Sequence, residues 1–199
     1  MHICDDKKFV FCHIPKTGGR SIAKMVRPLC NRRVGGVHTR MRRLLRQEPD
    51  LEDYFSFCMV RNPYDRVLSA YRFLFRRERD IEFREFVLNL ENYLGPQGRK
   101  FRHFGRHFIT PCYDFITVED EIVVKQICRF EHFLDSLAPV AERLGFDLDG
   151  MEHIGKSAIG AMEDMGEHYS HYYDDEMKAM VATVYANDLK AFGYTFEEN

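Results

Sequence analysis

The chain has 199 residues, 45% of them hydrophobic and 30% charged, with a formal net charge of −2; this excludes a disordered chain, and its apolar runs fall well short of the roughly 20 residues of a membrane-spanning helix. Residues 1–110 hold 23 Lys and Arg against 12 Asp and Glu, whereas residues 111–199 hold 6 against 19. A basic front half fits the handling of an anion, and neutralisation of one half by the other is the equally weighted alternative.

The start, Met1-His-Ile-Cys-Asp-Asp-Lys-Lys8, runs directly into a strand-like segment without the basic, apolar and small-residue order of a secretory leader, so a cytoplasmic protein is expected. Phe9 to Ile14 is a short apolar run between Lys7-Lys8 and Pro15, the pattern of a buried strand ending at a loop, and Ser21 to Leu29 has helical spacing. Val34 to Val37 is a further short strand candidate, with Thr39 placed to cap a basic helix over Arg40 to Arg46. Phe55 to Val60 is the second long apolar run. It ends at Arg61-Asn-Pro63 and leads into a helix from Tyr64 to Arg79, for which Asn62 suits the cap and Pro63 the first position. Glu82 to Leu90 is another helix candidate, and Gly95 to Gly105 is a Gly-rich basic loop.

Gln126 to Phe130 reads as a strand, followed by a helix from His132 to Leu144 that stops at Gly145, and Asp174 to Phe192 reads as the closing helix. No repeat or linker marks a boundary, so one domain over 1–199 is expected. Strands alternating with helices predict an α/β domain with a central parallel sheet flanked by helices, and such sheets bind ligands beyond the carboxyl ends of their strands. The six cysteines, Cys4, Cys12, Cys30, Cys58, Cys112 and Cys128, contain no C-x-x-C pair and read as reduced thiols, with neither a disulfide framework nor a zinc site.

The first chemical motif is His13-Ile-Pro-Lys-Thr-Gly-Gly-Arg-Ser21, lying between a buried strand and a helix. Gly18 and Gly19 let backbone N–H groups crowd around a phosphate-like group, the helix N-terminus and Lys16 add positive charge, and Thr17 and Ser21 offer hydroxyl donors. This is not a Walker A loop, because Lys16 precedes both glycines, and the next strand ends in Arg61 rather than in a Mg²⁺-binding Asp. The second motif is Val60-Arg-Asn-Pro-Tyr-Asp-Arg-Val-Leu-Ser-Ala-Tyr71, in which Arg61 at a strand end and Ser69 two turns into a helix suit a second phosphate. Asp65 and Arg66 read as an internal ion pair or cap rather than as ligands.

Together, Pro-Lys-Thr-Gly-Gly-x-Ser over 15–21 and Val-Arg-Asn-Pro-Tyr-Asp-Arg-x-x-Ser-x-Tyr over 60–71 resemble the sulfotransferases that use 3′-phosphoadenosine 5′-phosphosulfate (PAPS). The likeness is greatest to the branch of the heparan-sulfate 2-O- and 6-O-sulfotransferases and short bacterial relatives. It extends to Arg129-Phe-Glu-His132, to His153-Ile-Gly-Lys-Ser157 and to the ending Tyr185 to Tyr194. The resemblance implies a P-loop-like three-layer fold and PAPS as cosubstrate without a metal. Pro15, Lys16, Thr17, Gly18, Gly19, Arg20 and Ser21 would lie along the 5′-phosphosulfate loop, and Arg61 with Ser69 would hold the 3′-phosphate. Two positions depart from the family: Arg20 stands where Thr is usual, and Gly155 where Asn is frequent. Arg20 is open to two readings, a guanidinium at the sulfate or acceptor and an outward helix residue, with the second favoured.

Sulfuryl transfer needs charge stabilisation at the leaving oxygen and a base for the acceptor proton. Lys16 is the choice for the first. His38, after the 34–37 strand candidate, is the choice for the second, and its place resembles that of the His base in the 2-O branch; a loop histidine or phosphate contact is the bland alternative. His13 reads as a satisfied core residue or as one that supports the site from behind, and Glu131 is a secondary base candidate. Arg40, Arg42, Arg43 and Arg46 form one basic cluster, favoured as a solvated face. Arg99, Lys100, Arg102, His103, Arg106 and His107 form another, a better candidate for an acidic glycan acceptor. The expected acceptor is a hydroxyl, on a carbohydrate, and nucleic acid is the weaker explanation of the basic clusters. The rival functions are a Mg²⁺-dependent P-loop phosphotransferase and a nucleotide- or polyanion-binding protein without turnover.

Overall fold

The computed structural model describes residues 1–75, 81–96, 105–148 and 167–198. The chain divides into two compact units, one of residues 1–60 and 112–166 and the other of residues 61–111 and 167–199.

The first unit is built on a five-stranded sheet. Its strands are β1 (His2–Cys4), β2 (Phe9–Cys12), β3 (Arg32–Arg33), β4 (Phe55–Val60) and β7 (Gln126–Arg129), in the order β3-β1-β2-β4-β7. A separate hairpin pairs β5 (Thr117–Val118) with β6 (Glu121–Ile122). β2, β4 and β7 are parallel neighbours, with Cys12 opposite Cys58 and Val60 opposite Arg129. All four residues of β2 are fully buried, which explains why the sequence there is continuously apolar rather than alternating.

The sheet is mixed rather than wholly parallel. β1, which the helical and apolar periodicities did not separate from β2, pairs antiparallel with both β2 and β3. The expected strand at Val34 to Val37 is replaced by the two residues Arg32–Arg33. Because β1 is antiparallel to both neighbours, β3 still runs in the direction of β2, and the segment after it leaves from the carboxyl end of that strand.

Helices pack on the sheet through its phenylalanines. Phe9, Phe11, Phe57 and Met59 share one face and meet Ile22 and Val26 of α1 (Gly19–Val26), together with Leu137, Val140 and Leu144 of α8 (Phe133–Leu144). Each of those phenylalanines is fully buried and contributes on the order of 2–3 kcal/mol. On the opposite face, Cys12 Sγ approaches the Phe115 carbonyl of α7 (Tyr113–Ile116) at 3.8 Å. α1 gives way to a 3-10 turn over Arg27–Leu29 because Pro28 has no N–H to continue an α-helix. α8 ends where expected: Gly145 takes a left-handed conformation and returns its N–H to Ala141 O at 2.8 Å. α2 (Met41–Gln47) starts without the expected cap, since Thr39 Oγ1 donates instead to Gly36 O at 2.8 Å.

The second unit is helical among its described residues. It holds α3 (Pro63–Leu74), α4 (Phe83–Leu88), α5 (Leu90–Leu94), α6 (Arg106–Ile109), α9 (Asp175–Val184) and α10 (Ala186–Phe192). Asn62 caps α3 by accepting from Tyr64 N, and Pro63 takes the first position, as read from the sequence. The single helices expected over Glu82 to Leu90 and Asp174 to Phe192 are each broken, at Asn89 and at Tyr185. Tyr185 is fully buried with its hydroxyl on Ile109 O at 2.6 Å, so its side chain is held by packing rather than by helical period. Tyr173 likewise donates to Tyr64 O at 2.8 Å, which satisfies a phenol buried in an aromatic core. No described helix is long and apolar enough to cross a membrane.

Candidate active site

Cys12 ends β2, and three residues later the chain enters the turn Pro15–Gly18 before α1 begins at Gly19. Lys16 (φ 66°) and Gly18 (φ 74°) are both left-handed. For Lys16 that conformation costs about 1–3 kcal/mol, a strain that clusters at ligand-binding turns. Left-handed residues within a turn let neighbouring N–H groups face one concavity. Gly18 is the N-cap of α1 and supplies no side chain to it, and no acidic residue stands in the first turn, so the helix start keeps its positive end uncompensated from within. The loop is braced by Ser21 N donating to Gly18 O and by Thr17 Oγ1 donating to Ile14 O, each at 3.0 Å. Thr17 is buried and its proton is engaged there, a difference from its expected role as a free donor. Arg20 is exposed, in agreement with the outward reading.

Gly19 is required by a close approach. A Cβ on it would lie 2.1 Å from Cδ2 and 2.4 Å from Nε2 of His13. His13, only 5% exposed, stacks on Phe11 with ring centroids 5.6 Å apart and meets the edge of His38 at 4.7 Å. Burial, followed by the positive potential of His38 and His2, pushes its pKa down to about 3, so the ring is neutral at physiological pH. Its Nδ1 has no hydrogen-bond partner among the described residues.

His38 Nδ1 lies 2.9 Å from the backbone oxygen of His13. A carbonyl only accepts, so Nδ1 carries a proton, and in the neutral ring that tautomer leaves on Nε2 the lone pair a base needs. The structure thus joins two expected site residues, Gly19 and His38, through His13, which the sequence reading left as either core or a support of the site. The clue in the sequence was its place two residues before the Pro-Lys-Thr-Gly-Gly turn.

Residues 7–47 contain 12 Lys and Arg and no Asp or Glu. Arg42, Arg43 and Arg46 are exposed, which fits the solvated face expected of α2, while Arg40 pairs with Asp114 at 3.6 Å. Glu131 is exposed in a 3-10 turn after β7.

In the second unit, Arg61 is 4% exposed, and its Nε and Nη2 donate to the two carboxylate oxygens of Asp65 at 2.7 Å each. Asp65 therefore pairs with Arg61 and not with Arg66. Arg66 is fully buried and donates through Nη2 to Thr110 O at 2.7 Å and to Phe108 O at 3.2 Å, a structural assignment. Ser69, 6% exposed, lies one turn beyond Asp65 on α3. Arg106 and His107, expected in an irregular loop, open α6. Arg99, Lys100, Arg102, His103 and the segment His153 to Ser157 with Gly155 lie outside the described residues. Among the described residues, no group of three or more His, Cys, Asp and Glu side chains is arranged to hold a metal ion.

An α/β sheet with a strained basic turn opening a helix is a framework suited to holding an anion. Residues 1–195 match the family model described as the Sulfotransferase family, and the chain belongs to that family. Its general activity is sulfuryl transfer. No curated protein and no solved structure compared with the chain matches it.

Proposed function

We propose that the protein is a single-domain PAPS-dependent sulfotransferase of P-loop-like, three-layer architecture that moves the sulfuryl group to an acceptor hydroxyl on a carbohydrate and releases adenosine 3′,5′-bisphosphate. The observation that carries this reading is the left-handed, uncapped turn at Lys16 to Gly19 beside His38, whose Nδ1 is held on the His13 carbonyl. The backbone of Pro15, Lys16, Thr17, Gly18 and Gly19, with Ser21, receives the 5′-phosphosulfate. Lys16 neutralises charge on the bridging oxygen as the S–O bond breaks. His38 Nε2 takes the acceptor proton as the hydroxyl attacks in line, and the His13 carbonyl stabilises the imidazolium through Nδ1–H. Arg61 and Ser69 hold the 3′-phosphate, and Arg20, exposed at the start of α1, is an outward helix residue. The carbohydrate acceptor is supported by the resemblance of the two motifs to the heparan-sulfate branch and by the run of 12 cations without a carboxylate over residues 7–47.

The reading requires no metal ion. Calorimetry with adenosine 3′,5′-bisphosphate in chelator should show binding, and sulfur-labelled PAPS should pass label to a glycan in a mixed acceptor panel. Binding with no transfer to any hydroxyl acceptor supports a non-catalytic nucleotide-binding protein instead. Mg²⁺-dependent hydrolysis of a nucleoside triphosphate supports a phosphotransferase.

A further inference from the structure

We infer that Asp65 is a positioning residue that sets the preference for a 3′-phosphorylated over a 3′-hydroxyl adenosine nucleotide, acting through Arg61. The inference rests on the donor-site reading above, in which Arg61 holds the 3′-phosphate.

Asp65 closes on one edge of the Arg61 guanidinium, taking Nε–H and Nη2–H on separate oxygens at 2.7 Å. That two-point contact fixes rotation about the last bonds of the Arg61 side chain. The side chains are 4% and 17% exposed, so solvent screens the pair weakly. Asp65 is itself fixed, because it lies in the first turn of α3, whose start is pinned by the Asn62 cap. Ser69 follows Asp65 by four residues and so shares its face of α3, which sets the carboxylate beside the second expected phosphate contact. An arginine already held in one orientation loses less conformational entropy when a phosphate arrives. A helix cap or a plain surface ion pair would give no such dependence on the ligand's 3′ group.

The test compares the wild-type protein with Asp65→Asn by calorimetry, using adenosine 3′,5′-bisphosphate and adenosine 5′-monophosphate, which differ only in the 3′-phosphate. The ratio of the two affinities is independent of the fraction of folded protein. Asp65→Asn should lower that ratio at least about tenfold while leaving the affinity for the monophosphate unchanged. In an Arg61→Met background, Asp65→Asn should change the ratio no further, as expected for a residue acting through Arg61. An unaltered ratio in Asp65→Asn overturns the inference, and so does an equal loss for both nucleotides. A wild-type protein without preference for the 3′-phosphate overturns the donor-site reading itself, an outcome visible before any variant is made.

Discussion

The backbone carbonyl of His13 and Nδ1 of His38 are 2.9 Å apart, so the segment that leads from β2 into the proposed anion-binding turn also sets the proton position of the candidate base. His38→Ala should therefore lower kcat by at least about tenfold and leave the affinity for adenosine 3′,5′-bisphosphate unchanged. Steady-state transfer assays beside calorimetry separate the two. Normal turnover in the variant removes His38 from the role.

In the proposed mechanism Lys16 meets the charge that develops on the leaving oxygen, and its backbone conformation is one that an L-residue adopts at a cost. Lys16→Ala should lower kcat by about tenfold or more, with a smaller effect on ground-state binding. Lys16→Gly should relax the left-handed strain and melt no lower than the alanine variant, which a thermal scan measures directly.

Gly19 and His13 interlock, because a methyl carbon on the glycine would lie 2.1 Å from Cδ2 of the imidazole. Gly19→Ala should cost about 1–3 kcal/mol in unfolding free energy and depress transfer, since the ring is walled in by Phe11 and His38. Adding His13→Ala in the same chain opens that space and should recover part of the melting temperature. Equal melting of the Gly19→Ala and wild-type proteins contradicts the close approach.

Stability should depend on pH through buried histidines. His13 and His2 are driven down to about 3 and about 4, His2 by burial first and then by Arg33 and the N-terminus, while both titrate near the ordinary histidine value once unfolded. Between those limits the unfolded chain binds more protons than the fold, so stability rises with pH, is fully present above about 6.5 and is lost as pH falls toward 3–4. Each group contributes a slope of up to about 1.4 kcal/mol per pH unit. His13→Phe, which preserves a flat ring against Phe11, should flatten this slope in urea titrations taken between pH 4 and 7, on the order of one proton.

Arg66 is a buried cation whose Nη2 donates to two carbonyls of a neighbouring segment. Arg66→Met should destabilise by about 3 kcal/mol, through the orphaned carbonyls of Phe108 and Thr110 and the lost charge-assisted bonds. Chemical denaturation would register it as a lower midpoint at unchanged slope.

The strands that matter most for the site were readable because they are buried on both faces: Phe9 to Cys12 and Phe55 to Val60 have no polar alternation to confuse with a surface element. Asn62-Pro63 and Gly145 marked helix limits because cap chemistry is local. The antiparallel β1 escaped since a three-residue strand carries no measurable period, and β3 because a pair of arginines has no strand signature at all. The breaks at Asn89 and Tyr185 are set by tertiary packing that no spacing of apolar residues records. At the site, loop residues announced themselves by type, whereas the part played by His13 depends on where its ring and carbonyl point. Asp65 was legible as a partner in an ion pair but not as the partner of Arg61, because i,i+1 and i,i+4 choices are decided by side-chain direction.

Neither compact unit is a contiguous stretch: the first pauses at Val60 and resumes at Cys112, and the second pauses at Pro111 and resumes at Glu167. During synthesis β7 can join the sheet only after more than sixty intervening residues have left the ribosome, and α9 and α10 reach their partners later still. The order of emergence thus opposes domain-by-domain folding, and cutting the gene at a single point would leave both halves without a completed core.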